Sequence, residues 1–336
     1  MKTEERAARR VHHRTAAYWT MAAVCLIGGI AAVGLGDYPL SPAQVISAML
    51  GADGDFARTV VVEWRLPRVS VALAFGAALA TSGALFQSLT RNPLGSPDVI
   101  GFATGSYTGA LIATALGGST YLATGGGALG GGLATAIVVY ALARKDGIDA
   151  FRLIVVGIGV TAMLHAFNIF LLMRMRQEVA MTAAIWGAGS IGLIGWDRAI
   201  PAIVALGLLA PLVGLCAPAL RQLELGDDAA GAHGVKVESA RLAVLGIGVG
   251  LTAIVTAAAG PIAFISLAAP QIAKRIVRAA GVPLLASALL GAMLLLAADL
   301  VAQFALPVAV PAGAVTVVLG GIYLVDLMIR EARRLR

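Results

Sequence analysis

Long apolar blocks alternate with short polar segments along almost the whole chain. The blocks, which contain few or no ionisable side chains, lie at residues 16–35, 69–89, 99–116, 121–142, 153–173, 199–220, 242–259, 262–276, 283–306 and 312–329. Their lengths are close to the roughly 20 residues that cross a bilayer as an α-helix. The pattern predicts an all-α integral membrane protein with about ten transmembrane helices, gathered in one domain at residues 16–329.

Two of these blocks, at 99–116 and 262–276, are short and adjoin glycine and proline residues. These residues are Pro93, Gly95, Pro97 and Gly101 in the first half of the chain and Gly260, Pro261 and Pro270 in the second. Interrupted helices at corresponding positions of two halves are typical of transporters built from inverted repeats. Short, tilted helices explain the pattern equally well, because membrane helices tolerate Gly and Pro.

Composition and charge support a membrane protein and predict its orientation. Hydrophobic residues make up 59% of the chain and charged residues only 13%, whereas soluble domains carry about 25% charged residues. With these spans, one side of the membrane holds all of the 25 Lys and Arg residues except Arg58, Arg65, Arg68, Arg174, Arg176 and Arg198. Because basic loops stay in the cytoplasm, we expect a bacterial cytoplasmic-membrane protein with both basic tails, at 1–15 and 330–336, inside. The net charge of +7 then reports orientation and does not indicate a nucleic-acid partner.

The sequence contains neither a nucleotide-binding motif nor the spacing of metal ligands. No G-x-x-x-x-G-K-[ST] phosphate loop is present, so we expect no ATP site of that type. The two cysteines, Cys25 and Cys216, lie inside apolar blocks without paired or metal-ligand spacing. We therefore predict a non-catalytic subunit that binds no cofactor or metal.

Two other classes of membrane protein stay open at this point. An ion-coupled secondary carrier needs ionisable groups inside the membrane; the candidates are His165, which we expect to bond to a neighbouring helix, and Asp299. We expect Asp299, toward the outer end of its block, to bond locally or to meet water. A G-x-G-D string at 34–37 suggests an intramembrane aspartyl protease, whose chemistry needs a second carboxyl group near Asp37. The sequence offers no clear partner for it.

The first outer loop predicts a short helix along the outer surface. Ser41, Pro42 and Gln44 have the spacing of a capping box with Pro at the first helical position. An apolar stripe follows this capping pattern.

The loop at 219–241, cytoplasmic in this topology, predicts another short helix. Asp227 and Asp228 favour a helix N-terminus, and Gly234 suits the left-handed residue after the helix end. The segment resembles the coupling loop of ABC importer permeases, whose Glu-Ala-Ala and downstream Gly match Asp228-Ala229-Ala230 and Gly234. The resemblance implies contact with a separate ATPase through Leu225, Gly226, Asp227, Asp228, Ala229, Ala230 and Gly234.

Four further segments resemble the FecCD family of iron-siderophore, haem and cobalamin permeases. The most specific reads Arg91-Asn92-Pro93-Leu94-Gly95-Ser96-Pro97-Asp98-Val99-Ile100-Gly101, and the others lie at 64–68, 83–87 and 260–270. The similarity extends from residue 41 to residue 330. It implies the type II ABC importer permease fold, with an inverted repeat.

The resemblance also implies a function and partners. The chain would be the transmembrane permease subunit of an importer for ferric siderophores, driven by ATP hydrolysis, with ATP and Mg bound by separate subunits. It would assemble with a second permease, a heterodimer being favoured over a homodimer, with two ATPase subunits and with an external siderophore-binding protein. Phe86-Gln87-Ser88-Leu89, 94–99 and 320–324 resemble the ferric enterobactin permeases, which implies a catecholate cargo. Haem or cobalamin is the alternative cargo.

Individual residues acquire roles from the same resemblance. Arg65 and Arg68 match outer-face arginines that pair with acidic residues of the binding protein, although interfacial Arg also commonly holds a helix end at the headgroups. The motif or gating residues are Arg91, Asn92, Pro93, Gly95, Pro97, Gly101, Gly260, Pro261 and Pro270. The chain departs from its relatives at Gln271, where many have His, and at Gln303, where the cobalamin permease has Arg.

Overall fold

A computed structural model describes residues 2–51, 55–98, 100–118, 120–144 and 150–334 of the chain. Val99, the first residue of a predicted span, and the predicted cytoplasmic residue Lys145 lie outside the described residues. Met1 and residues 335–336 of the two predicted tails do so as well.

The described residues form an all-α structure. The first half contains α1 (Lys2–Gly34), α2 (Pro42–Leu50), α3 (Asp55–Arg58), a π-helical segment (Thr59–Arg65), α4 (Leu66–Thr90), α5 (Phe102–Ala115), α6 (Tyr121–Ala143) and α7 (Ala150–Arg174). The second half contains α8 (Gln177–Gly187), α9 (Trp196–Leu223), α10 (Asp227–Ala232), α11 (Val237–Ala259), α12 (Ile265–Ile276), α13 (Leu284–Phe304) and α14 (Ala312–Arg334).

Every predicted span coincides with a helix. Within the described residues, seven helices are long and apolar enough to cross a membrane. The other three predicted spans correspond to the 14-residue α5, the 12-residue α12 and the apolar part of α14. The predicted all-α membrane architecture is therefore confirmed.

Two helices extend beyond the predicted apolar blocks, in both cases through charged residues. The basic segment expected as a tail at 1–15 is helical from Lys2 and continuous with the first span. The second span was expected to start at Val69, but helix runs without a break from Phe56 to Thr90. Its first turns bury Val60 and Val61 against the bundle, which compensates for the charges that interrupt the apolar pattern there.

The helix α4 lies at the centre of the bundle, packed against α9, α11, α12 and α13. Its contact with α13 is a backbone contact: a Cβ added at Gly76 would lie 2.2 Å from the carbonyl oxygen of Gly291. Small residues permit such close approach, which is a main source of helix association in lipid.

The two short spans are interrupted helices, and this observation favours the inverted repeat over simple tilting. The residue before α5 is Gly101, with φ of 82°, and the residue before α12 is Phe264, with φ of 70°. Both helices thus begin after a left-handed residue, and each is the third membrane segment of its half. A Cβ at Gly83 would lie 1.7 Å from the Ser266 carbonyl oxygen, so the start of α12 also touches α4.

The predicted capping box at the start of α2 is confirmed. The Ser41 amide donates to Gln44 Oε1 at 2.8 Å, and the Gln44 amide donates to Ser41 Oγ at 3.3 Å. Pro42 occupies the first turn, where its missing amide hydrogen is not needed.

Candidate functional site

Polar clusters lie at both ends of α4. Its 25 residues rise about 37 Å at 1.5 Å per residue, so Arg68 and Arg91 are on opposite faces of the bundle. We call the cluster of Ser88, Arg91, Glu224, Asp227 and Arg241 the basic-end cluster. The cluster of Arg65, Arg68, Asp299 and Gln303 is the opposite-end cluster.

The short helix predicted between the sixth and seventh spans is α10. The residue before it, Gly226, has φ of 116° and ψ of 158°, a conformation that is essentially restricted to glycine. Gly234, after its end, has φ of 82°, so the predicted left-handed position is confirmed. The expected side-chain cap is wrong, because neither Asp227 nor Asp228 is the capping residue and no side chain caps this helix.

The carboxylate of Asp227 instead pairs with two arginines. Arg241 Nη2 donates to both carboxylate oxygens at 2.8 Å, and Arg91 Nη2 donates to Oδ1. Arg91 also donates through Nε to the Leu223 carbonyl at 3.1 Å. These bonds join α10 to the end of α4 and to α11, and they occupy the side chain that would otherwise cap the helix.

Glu224, which the sequence analysis did not single out, makes a second connection. Its Oε1 accepts hydrogen bonds from Ser88 Oγ at 2.5 Å and from the Val282 amide at 3.2 Å. It thereby joins the end of α9 to α4 and to the segment before α13. The sequence carried one signal for this contact. A carboxylate just after a helix C-terminus is repelled by the negative end of the helix dipole and therefore needs hydrogen-bond donors.

The surface of α10 divides into an anchored face and an open face. Ala230 is fully buried, whereas Asp228 is exposed, as is Leu225 just before the helix, at 66%. Asp228 makes no hydrogen bond or ion pair with any residue that the structure describes. The open face is therefore available to another protein.

The described motif residues 91–98 form a turn that contacts the second half of the chain. Arg91 is left-handed, with φ of 48°, and Asn92 Oδ1 accepts the Leu94 amide at 2.9 Å. A Cβ at Gly95 would lie 2.3 Å from Thr90 Oγ1, so a larger residue there would have to displace the Thr90 hydroxyl. Ser266 Oγ donates to Asp98 at 2.9 Å, which connects this turn to the start of α12. Pro93 and Pro97 lie within the same turn, and Pro97 is buried.

The motif residues at 260–261 have a comparable steric role. Gly260 has φ of 75°, and a Cβ there would lie 2.3 Å from the Trp186 carbonyl oxygen. A Cβ added at Gly189 would lie equally close, 2.3 Å, to the Pro261 carbonyl oxygen. The segment between α11 and α12 is therefore packed against the end of α8.

Two glutamines connect α12 to α4 near Pro270, which is buried inside α12. Gln271 Nε2 donates to Gln87 Oε1 at 2.7 Å, and Gln87 Nε2 donates to the Leu267 carbonyl at 3.0 Å. Gln271, which stands where many relatives have His, thus makes a hydrogen bond between these helices.

At the opposite end, both predicted docking arginines are bonded within the chain. Arg65 donates to the Val33 carbonyl at 3.0 Å and to the Tyr38 carbonyl at 2.8 Å. Arg68 donates through Nε and Nη2 to the two oxygens of Asp299, each at 2.9 Å. These contacts agree with the structural role, that of holding a helix end.

Asp299 makes the local bond that the sequence predicts and also an ion pair that the sequence does not predict. Gln303 Nε2, one helical turn later, donates to Asp299 Oδ2 at 2.8 Å. Asp299 is nearly fully buried, at 2% exposure, and it pairs across helices with Arg68 of α4. The expected hydrogen bond of His165 is absent: His165 is exposed on α7 and bonds to no residue that the structure describes.

Asp37 and Asp299 line the same cavity, of about 390 Å³, together with Arg65 and Arg68. The sequence did not reveal this proximity. An aspartyl protease needs two carboxyl groups that share a proton, whereas both oxygens of Asp299 accept hydrogen bonds from Arg68. This arrangement does not favour the protease alternative.

Comparison with known proteins identifies the family. The sequence model described as the FecCD transport family matches residues 24–330. The chain belongs to the FecCD transport family. This FecCD protein is 48% identical to the ferric enterobactin transport system permease protein FepG of Escherichia coli K12, over 94% of its own length and 96% of that relative.

More distant relatives agree with this assignment. The achromobactin transport system permease protein CbrC of Dickeya dadantii is 35% identical, with 90% of this FecCD protein and 88% of that relative covered. A solved structure described as an inward-facing conformation of a metal-chelate type ABC transporter superposes with a TM-score of 0.81 at 26% identity, covering 93% of this chain and 98% of the other. The predicted family, permease fold and likeness to the ferric enterobactin permeases are confirmed, and this FecCD protein is a multi-pass membrane protein.

Proposed function

We propose that this FecCD protein is the transmembrane permease subunit of an ATP-driven importer for a ferric catecholate siderophore of the enterobactin type. The observation that carries the proposal is the 48% identity to a ferric enterobactin permease over nearly the full length of both chains. The relative named for achromobactin transport is less similar, at 35% identity. Enterobactin-type cargo is therefore favoured over other ferric complexes.

Energy would enter through the open face of α10. Asp228 on α10 and Leu225 just before it are exposed, while Asp227 on α10 and Glu224 at the end of α9 bond to α4, α11 and the segment before α13. A separate ATPase that pushes on α10 would move α4, the central helix of the bundle. ATP and Mg would be bound by that ATPase, since this sequence has no phosphate loop.

The proposed assembly pairs this chain with a different permease chain and with two ATPase subunits at the basic end, which would face the cytoplasm. An external siderophore-binding protein would dock at the opposite end. There Arg68 pairs with Asp299 through Nε and Nη2, which leaves Nη1 for an acidic residue of that protein. Exposed ion pairs of this kind orient the binding protein during docking more than they stabilise the docked complex.

Uptake of radiolabelled iron tests the cargo and the energy source together. In a strain that lacks its own ferric enterobactin permease, the chain should restore uptake of ferric enterobactin but not of haem or cobalamin. Uptake should stop when the partner ATPase is deleted. Uptake that persists without the ATPase and collapses with the proton gradient would instead establish an ion-coupled carrier.

A further inference from the structure

A long apolar groove lies between α1, α4, α9 and α13 and extends from the basic end of the bundle past its middle. Its volume is about 690 Å³. The floor consists of small residues that leave a channel between two packed helices: Ala74, Ala77 and Ala78 of α4 and Gly207, Ala210 and Gly214 of α9. A Cβ added at Gly207 or Gly214 would meet nothing within 4 Å, so this space is empty of protein.

The groove is long enough for a lipid chain. The part of α9 that lines it, from Ile203 to Arg221, rises about 27 Å at 1.5 Å per residue. One leaflet contributes roughly half of the 30 Å hydrocarbon core. An acyl chain from the leaflet at the basic end would therefore fit along the floor.

The end of the groove near the membrane surface has one arginine, Arg221, and one carboxylate, Glu224, on its lining. Arg221 lines it, is exposed and makes no hydrogen bond or ion pair with any residue in the described part of the chain. Tyr18 also lines the groove, and Arg14, one helical turn before it, donates to the Arg278 carbonyl at 3.3 Å. The one carboxylate on the lining, Glu224, already accepts hydrogen bonds from Ser88 and Val282.

An apolar channel that ends at an exposed arginine without a partner among the described residues has the chemistry to hold an anionic amphiphile. We propose that the groove binds one anionic phospholipid, with an acyl chain along the small residues of α4 and α9 and the phosphate at Arg221. Basic pockets between transmembrane helices on the cytoplasmic side commonly bind anionic headgroups. The charged ferric complex is a poor occupant, since the apolar floor would leave its polar groups without partners.

The position of the site gives it a consequence for α10. Arg221 is in the last turn of α9, and α10 begins six residues later, at Asp227. A lipid phosphate on Arg221 would thus lie beside the segment that we propose to contact the ATPase. The lipid site itself does not depend on that proposal, because it rests on the groove and its charges alone.

Two kinds of variant test the contributions of the groove and of the arginine charge separately. Gly214→Phe fills the channel without a clash at the Cβ, and Gly207→Phe does so on the same face of α9, about two helical turns earlier, should the first variant fold poorly. Arg221→Gln removes the phosphate partner. The controls are Gly246→Phe, also at an open glycine but on α11, and Arg275→Gln, an exposed arginine at the end of α12 that does not line the groove.

The experiment uses the assembled transporter in nanodiscs of equal phosphatidylglycerol and phosphatidylcholine. Native mass spectrometry counts the lipids that stay bound after gentle delipidation. The wild type should retain one phosphatidylglycerol per chain in preference to phosphatidylcholine, and Gly214→Phe should lose it. Arg221→Gln should reduce the preference about fivefold, as expected for one arginine near a headgroup, and both controls should match the wild type.

Three results would overturn the proposal. The first is wild type that shows no preference for phosphatidylglycerol. The second is groove-filled variants that retain as much lipid as Gly246→Phe. The third is a loss in Arg275→Gln equal to that in Arg221→Gln, which would mean that general surface charge, and not this groove, attracts the lipid.

Discussion

Arg91 and Asp227 are 136 residues apart in the chain, and their side chains form an ion pair at the basic end of the bundle. The pair joins the turn of the FecCD motif to the helix that we propose to receive force from an ATPase. Arg241 completes the cluster from α11, with its side chain only 12% exposed. Arg91 of the motif and Asp227 of the proposed coupling segment therefore belong to one polar cluster.

Substitution of Asp227 by Asn should weaken this cluster, because it removes the counter-charge of both arginines. We expect the free energy of unfolding to fall by about 1–2 kcal/mol. We also expect the uptake rate to fall by more than this loss of stability alone would explain. Thermal unfolding in detergent and uptake of ferric siderophore measure the two effects. The control is Asp228→Asn, whose side chain has no partner among the described residues; equal destabilisation by both variants would contradict the assignment.

The connection through Glu224 predicts energetic coupling with Ser88. Glu224→Ala and Ser88→Ala should each destabilise the permease, and the double variant should lose less than the sum, by about 1 kcal/mol. Glu224→Gln keeps the Oε1 acceptor and should lose little stability. A double-mutant cycle of thermal unfolding tests this expectation, and strictly additive losses would show that the Ser88 bond contributes nothing.

The ion pair between Arg68 and Asp299 allows two roles of Arg68 to be tested separately: holding α4 to α13, and docking the binding protein. Arg68→Gln leaves a buried carboxylate without a counter-charge, which should cost about 3–5 kcal/mol. Arg68→Lys keeps the charge but loses the bidentate geometry, so we expect an intermediate loss.

Asp299→Asn supplies the matched comparison for this pair. If Arg68 mainly holds α4 to α13, both Arg68→Gln and Asp299→Asn should lower the unfolding temperature. If Arg68 mainly docks the binding protein, Arg68→Gln alone should weaken the affinity for that protein. Thermal unfolding measures the first effect, and surface plasmon resonance of the binding protein on reconstituted transporter measures the second.

Substitution by alanine should have opposite effects on stability at two glycines, one in the backbone contact between α4 and α13 and one at an open position of α11. Gly76→Ala would place a Cβ 2.2 Å from the Gly291 carbonyl oxygen, so the helices must separate and the yield of folded permease should fall. Gly246→Ala meets nothing within 4 Å and should stabilise α11 by up to about 1 kcal/mol. The yield from size-exclusion chromatography and the unfolding temperature report both effects; a tolerated Gly76→Ala would contradict the observed packing.

The sequence was sufficient for the features that depend on local patterns. Apolar blocks located the helices, the spacing of Ser41 and Gln44 predicted a capping box, and Gly234 indicated the end of α10. Interrupted helices also left a local signal, because Gly101 and Gly260 adjoin short blocks. The family motif supplied the fold that these elements build.

The contacts between distant elements could not be predicted in this way. Arg68 and Asp299 are 231 residues apart, and periodicity does not tell which faces of two apolar helices meet. The same limit hid the bond between Ser88 and Glu224. The early start of the second span was missed because charged residues break the apolar pattern, whereas burial of Val60 and Val61 favours helix there.

The most direct test of the central claim is a comparison of ATP hydrolysis and uptake in proteoliposomes that contain the whole transporter and the siderophore-binding protein. The variant is Asp228→Arg on the open face of α10, and the control is Glu178→Arg, an exposed acidic residue on α8. We predict that Asp228→Arg inserts normally but loses ATP-driven uptake, while Glu178→Arg transports like the wild type. Normal uptake by Asp228→Arg would contradict coupling through α10.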